Sequence, residues 1–145
     1  MNRRIVAVLV CLTLLGCAVK RVSQVDPAAR DAIAYAATAH YPGNPQWRTD
    51  KVQAAAVVDS DAQEIQVFNL SDNAIPSPTV WVNGTFLRRV PTIAPRGSVT
   101  ISYGALLQAG DPAMDFKRAH QPVTKVEIQT ADGLFTVQGP SRKST

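Results

Sequence analysis

Cys11 and Cys17 are the only cysteines in this chain of 145 residues, and His40 and His120 the only histidines. Candidates for nucleophilic, metal or acid–base chemistry are therefore few. His120 has Asp111 and Asp115 close before it, and an imidazole with two carboxylates could bind a metal or move protons if folding gathered them. In a polar loop the same groups simply stay solvated. His40 ends a helical stretch, where the helix dipole favours a cation. Asp59-Ser60-Asp61 begins like a calcium loop but lacks the later glycine and bidentate glutamate, so it reads as a turn. Asn69-Leu70-Ser71 and Asn83-Gly84-Thr85 have the form of glycosylation sequons and are read as turn chemistry. No nucleophile elbow, phosphate loop, dinucleotide fingerprint or zinc-protease motif is present, and no catalytic residue, metal ligand or cofactor is expected. One surface hypothesis stands: Trp81, Phe86 and Arg88 (with Arg89) combine aromatic and guanidinium groups, the types enriched at binding hot spots and able to stack on sugars. Its rival is that Trp81 fills a core and Arg88 lies over it.

Cys17 owes its meaning to what precedes it. Met1-Asn2-Arg3-Arg4 is a basic start, residues 5–15 are almost unbroken apolar, and Leu14-Leu15-Gly16-Cys17 closes the run. That order fits a secretory signal peptide whose apolar core is too short to span a bilayer. The closing tetrapeptide resembles the lipobox of bacterial lipoproteins. The resemblance implies cleavage between Gly16 and Cys17 and a thioether from Cys17 to a diacylglyceryl group. Each buried acyl methylene contributes about 0.8 kcal/mol, and stable anchoring takes two chains, which a diacylated Cys17 supplies. Ala18, in place of Asp, points by the same resemblance to the outer membrane of a bacterial cell envelope, with the domain facing the periplasm or the surface.

Such processing would change the composition. The chain has 15 Lys+Arg against 11 Asp+Glu, a net charge of +4. Loss of Arg3 and Arg4 halves that excess, and the basic balance ceases to argue for nucleic acid. Cys11 leaves with the signal and Cys17 is consumed by lipid. No thiol would remain for a disulfide, a thiolate metal site or a nucleophile.

Five segments follow: a signal peptide (1–16), a membrane tether (17–25), a short helix and loop (26–50), a β-sandwich domain (51–139) and a disordered tail (140–145). Asp26-Pro27 is a helix start, with a side-chain acceptor at the cap and a proline where no donor is missed. The Ala-rich helix carries a thin apolar stripe and must lean on something. From residue 51 the hydrophobic period changes to two. Strands are expected at 53–58, 64–70, 80–82, 86–90, 98–103, 124–130 and 134–138, with a looser stretch at 105–121. About seven short strands with turn residues between them predict an antiparallel sandwich.

Alternation assigns faces. Val99, Ile101 and Tyr103 oppose Ser98, Thr100 and Ser102; Val126 and Ile128 oppose Lys125, Glu127 and Gln129; Phe135 and Val137 oppose Thr136 and Gln138. Each strand should have one dry and one wet face. Asn83-Gly84 is a hairpin signal. A two-residue turn would pair Trp81 with Phe86 and Val80 with Leu87, placing Trp81, Phe86 and Arg88 on one face and Val80, Val82 and Leu87 on the other. Either face could line the core, and the other could receive the helix or lie open.

Val67-Phe68-Asn69-Leu70-Ser71-Asp72, Val80-Trp81-Val82-Asn83-Gly84 and Ile93-Ala94-Pro95-Arg96-Gly97-Ser98 together resemble the middle of an immunoglobulin-like or fibronectin-type-III-like sandwich, over residues 52–137. The resemblance implies a fold and carries no activity; the paired core cysteines of antibody domains are missing. The expected function is a membrane-anchored, non-enzymatic interaction or accessory module whose partners are membrane lipid, through acylated Cys17, and an envelope protein or the cell wall. The alternative is a module that binds cell-wall glycan or peptide with the Trp81/Phe86/Arg88 face. An enzyme would need His120, Asp111 and Asp115 in one pocket.

Overall fold

A computed structural model describes residues 26–45 and 52–137. Gly16, Cys17, the signal peptide, the tether and the tail at 140–145 lie outside the described residues.

The chain is mainly β. Among the described residues, nine strands form two antiparallel sheets. In the smaller, β1 (Ala54–Asp59) and β5 (Ser98–Ser102) flank β2 (Glu64–Asn69). The larger has the order β7-β6-β4-β3-β8-β9, built from β3 (Thr79–Val82), β4 (Phe86–Arg89), β6 (Leu107–Gln108), β7 (Asp111–Asp115), β8 (Val126–Thr130) and β9 (Gly133–Thr136). Alternation holds in β1 and β2, where every second residue is buried. Ala56, Val58, Ile65, Val67 and Ile101 meet Val80, Val82, Phe86, Ile128 and Phe135 of the other sheet in one core. The sheets are also joined at a corner, where the Ala56 N–H donates to the Val137 carbonyl at 2.6 Å.

Two of the nine strands fall in the stretch expected to be loose. β6 is only two residues long and too short to show a period. β7 is Asp-Pro-Ala-Met-Asp, which reads as a turn. It survives as a strand because it is an edge, where the donor that Pro112 lacks is not needed. After β7, α2 (Phe116–Ala119) drops Phe116 into the core. Phe116 packs edge-to-face on Phe86 and on Tyr103, at centroid distances of 5.2 and 4.9 Å.

The Asn83-Gly84 turn forms, with positive φ at both residues and the Thr85 N–H bonded to the Val82 carbonyl. Pairing then resumes one residue later than a two-residue hairpin would give. Val82 faces Phe86, Trp81 faces Leu87, and Val80 faces Arg88, with Thr85 left over. A slip of one residue exchanges faces. Phe86 joins Val80 and Val82 in the inter-sheet core, while Leu87 joins Trp81 on the outside of the large sheet. The expected face of Trp81, Phe86 and Arg88 is therefore not formed. The cause lies outside the hairpin: the Thr85 carbonyl accepts from the Ala109 N–H, so the leftover residue is held by the neighbouring β6–β7 connection.

The outside of the large sheet is covered by a third layer. The helix α1 (Pro27–Thr38) starts as expected, with the Asp26 carboxylate accepting from the Ala28 N–H and proline in the first turn. Its one buried residue, Ala36, packs with Trp81, Leu87 and Leu134, joined at the edge by Tyr35, Ala39 and Tyr41. The Ala36 carbonyl accepts from the Gly110 N–H, and the Tyr35 and Thr79 hydroxyls bond at 2.9 Å. The wet face expected for β8 is consequently dry at its centre. Glu127 is 0% exposed.

Candidate functional site

Trp81 and Phe86 are each 1% exposed, on opposite faces of β3–β4. Trp81 packs edge-to-face against Tyr41 at 5.4 Å, and its indole N–H donates to Gln129 Oε1 at 2.8 Å. Of the three candidate binding residues, Arg88 lines a surface cavity.

The titratable candidates stay apart. His120 is exposed, caps the C-terminus of α2 and has φ of +49°. The Asp115 carboxylate caps the other end of that short helix through the Arg118 N–H and sits 3.3 Å from the Arg118 Nε. Asp111 is exposed on the edge strand. His40 hydrogen-bonds the Thr38 carbonyl through Nδ1. Among the described residues, no three His, Cys, Asp or Glu side chains are grouped to hold a metal. Asp59 accepts the Asp61 and Ala62 N–H groups, closing the β1–β2 turn.

Both sequon asparagines are turn staples. Asn69 is buried, and its amide donates to the carbonyls of Asn73, Ile93 and Ala94 while its oxygen accepts from Ser71. Asn83 holds residues 122–125 in the same manner through Pro122 and Thr124.

The buried carboxylate that the sequence reading missed is Glu127. The Tyr41 hydroxyl lies 2.9 Å from both of its oxygens, and the Lys125 Nζ lies 3.1 Å from Oε1 and 2.9 Å from the same hydroxyl. The hydrogen bond to Tyr41, with Glu127's charge and hydrogen bond added, holds the Lys125 ammonium above the usual lysine range, although partial burial opposes it. Charge, phenol and ammonium thus satisfy one another, and the triangle clamps the segment after α1 to β8. A signal was available: buried Trp and Tyr need polar partners, and Lys125, Glu127 and Gln129 share the face that Trp81 and Tyr41 cover.

An open polar site lies beside α1. A cavity of about 370 Å³ runs between the first half of the helix and the end of β4, lined by Asp31, Tyr35, Ser77, Arg88 and Arg89 with small apolar residues between them. A second, of about 430 Å³, lies toward the end of β8 and shares Tyr35, Ser77 and Arg89 with the first, adding Thr79, Gln129 and Thr130. The two are lobes of one groove that meet at Tyr35, Ser77 and Arg89, where the Arg89 guanidinium carbon sits 5.7 Å from the Tyr35 ring centre. Sequence reasoning had Arg88 and Arg89 but not their companions. Tyr35, Ser77 and Gln129 come from three distant parts of the chain, so no local spacing announces them.

No known protein family, curated protein or solved structure matches the chain.

Proposed function

We propose that the chain is a lipid-anchored envelope protein in which the described domain serves as a non-enzymatic interaction module. The observation that carries this reading is the order of residues 1–17, a basic start, an apolar run and Leu14-Leu15-Gly16-Cys17. Acylated Cys17 would hold the domain to a membrane, and Ala18 favours the outer membrane of a bacterial envelope. The non-enzymatic part draws support from how the acid–base candidates are used: Asp115 is committed to Arg118, Glu127 to Tyr41 and Lys125, and His40 to a backbone carbonyl.

The test is metabolic labelling with an alkyne fatty acid, followed by membrane fractionation. Wild-type chain should carry label and sediment with membranes, while Cys17→Ser should do neither. Label surviving in Cys17→Ser, or a mature N-terminus elsewhere than residue 17, would reject the anchor.

A second reading, binding of cell-wall glycan or peptide, is favoured by the two-lobed groove. It can no longer use Trp81 and Phe86, which are buried; it passes to Arg88, Arg89 and Tyr35.

A further inference from the structure

We propose that the groove between α1 and the β4 and β8 ends binds a carboxylate-bearing peptide segment, with the carboxylate at Arg89 and Gln129. This deepens the interaction-module reading by naming a ligand class, and it does not depend on the anchor.

Three features of the groove carry it. First, its arginines are unspent. Arg96, Arg118 and Lys125 each face a carboxylate, whereas among the described residues Arg88 and Arg89 have no ion-pair partner. Second, the donors are held in place before any ligand arrives. The Tyr35 hydroxyl is fixed by Thr79, and Arg89 lies near the Tyr35 ring. Indole nitrogen can only donate, so the bond from Trp81 fixes the Gln129 oxygen inward, which leaves the NH₂ for the lobe that Gln129 lines. A planar guanidinium and an amide N–H are a matched set for one carboxylate. Third, the lobes differ in character. The lobe toward the helix is lined by Ala28, Ala32, Val90 and Pro91, with Asp31 among them. Small aliphatic side chains fit those walls, and the Asp31 carboxylate repels a second anion there. A peptide with one carboxylate and a short apolar continuation satisfies both lobes. A phosphate-rich surface would place negative charge against Asp31.

The combined space suits a short segment: each lobe alone is within the range of small-molecule sites, about 300–1,000 Å³. Bidentate pairing with Arg89 supplies the orientation. Deleting a charge-assisted pair of this kind typically weakens binding by about tenfold or more.

The experiment uses the full chain in non-ionic detergent, in a Trp47→Phe background so that Trp81 is its one tryptophan. N-acetyl-Ala-Ala with a free C-terminal carboxylate is titrated while Trp81 emission and the Gln129 side-chain NH₂ resonances are followed. The free acid should shift the Gln129 signals saturably. The C-terminal amide of the same peptide should bind at least about tenfold more weakly, as should Arg89→Ala and Gln129→Glu. Gln129→Glu keeps an acceptor for the Trp81 indole, so the fold is retained while the donor is lost. Equal binding of acid and amide, no response to the acid, or undiminished binding by both variants would overturn the proposal. So would inorganic phosphate, or phosphatidylglycerol vesicles, saturating the same response at concentrations no higher than the peptide needs. Failure of Cys17 acylation would leave this titration unchanged, which keeps the two readings separable.

Discussion

On the outer face of the large sheet, Trp81, Leu87, Leu134 and the Glu127 carboxylate are all out of water. On the outer face of the small sheet, Ala55, Val57, Gln66 and Phe68 keep partial contact with it, and Ser98, Thr100 and Ser102 are exposed. Both faces are written with the same period of two. What separates them is the cover: α1 and the segment to Tyr41 lie on the first, and nothing among the described residues lies on the second. Side-chain chemistry follows the cover. The dressed face carries Trp81 and a buried charge that must be neutralised locally, while the bare face leaves Phe68, Gln66 and the Asp59 and Glu64 carboxylates in contact with water beside small and hydroxylated groups. Coverage by an element distant in sequence, more than alternation itself, decides which residues are core.

The contrast can be broken by substitution, and the largest effect should come from Trp81. Trp81→Ala should lower the unfolding free energy by about 3–5 kcal/mol, whereas Phe68→Ala on the bare face should cost about 1 kcal/mol. Urea denaturation of the full chain measures both, and comparable losses would erase the distinction. Next comes the clamp. Glu127→Ala strands the Tyr41 hydroxyl and the Lys125 ammonium and should cost about 2 kcal/mol, with faster amide exchange in α1 and none in β1 or β2. Glu127→Gln keeps an acceptor for Tyr41 and should cost less than Glu127→Ala.

Tyr35→Phe removes the bond to Thr79 and should cost about 1 kcal/mol. A smaller effect is expected from pH. Lys125 is held above the ordinary lysine range, so its contribution is complete at and below that range and is lost as pH rises through the raised value. Wild-type stability should fall more steeply than that of Lys125→Met above about pH 10.4, read by denaturation at stepped alkaline pH; parallel curves would remove Lys125 from the clamp. The smallest effect belongs to the fully exposed Arg96–Asp72 pair. Arg96, through its hydrogen bond and its charge, keeps the Asp72 carboxyl below its usual range. What the pair adds is present above the ordinary carboxylate range and disappears as pH falls through the lowered value. At neutral pH Arg96→Ala should leave the melting temperature unchanged within error.

The sequence was most readable where local chemistry is self-sufficient. The cap at Asp26-Pro27 and the turn at Asp59 depend on near neighbours, and the strands β1 to β5, β8 and β9 announce themselves by local alternation and turn residues. It was least readable where a distant contact decides. A two-residue turn would pair Thr85 with Val82, but a hydrogen bond from Ala109 leaves Thr85 an extra residue and sends Phe86 to the other face. Glu127 looks like one member of a wet row until Tyr41, 86 residues away, reaches it. The groove has the same difficulty, since Arg88 and Arg89 are adjacent and visible but acquire a setting only when α1 is laid across the sheet.

That helix also sets how a pull on the molecule would be carried. Tension on the backbone before Asp26 enters α1, which is fastened at Tyr35 to β3, at Ala36 to the turn between β6 and β7, and beyond its end at Tyr41 to β8. These fastenings reach the middle of the large sheet as well as one side of it. Tugging would be met by several bonds together, the Tyr41–Glu127 rivet among them, instead of unzipping an edge strand one rung at a time.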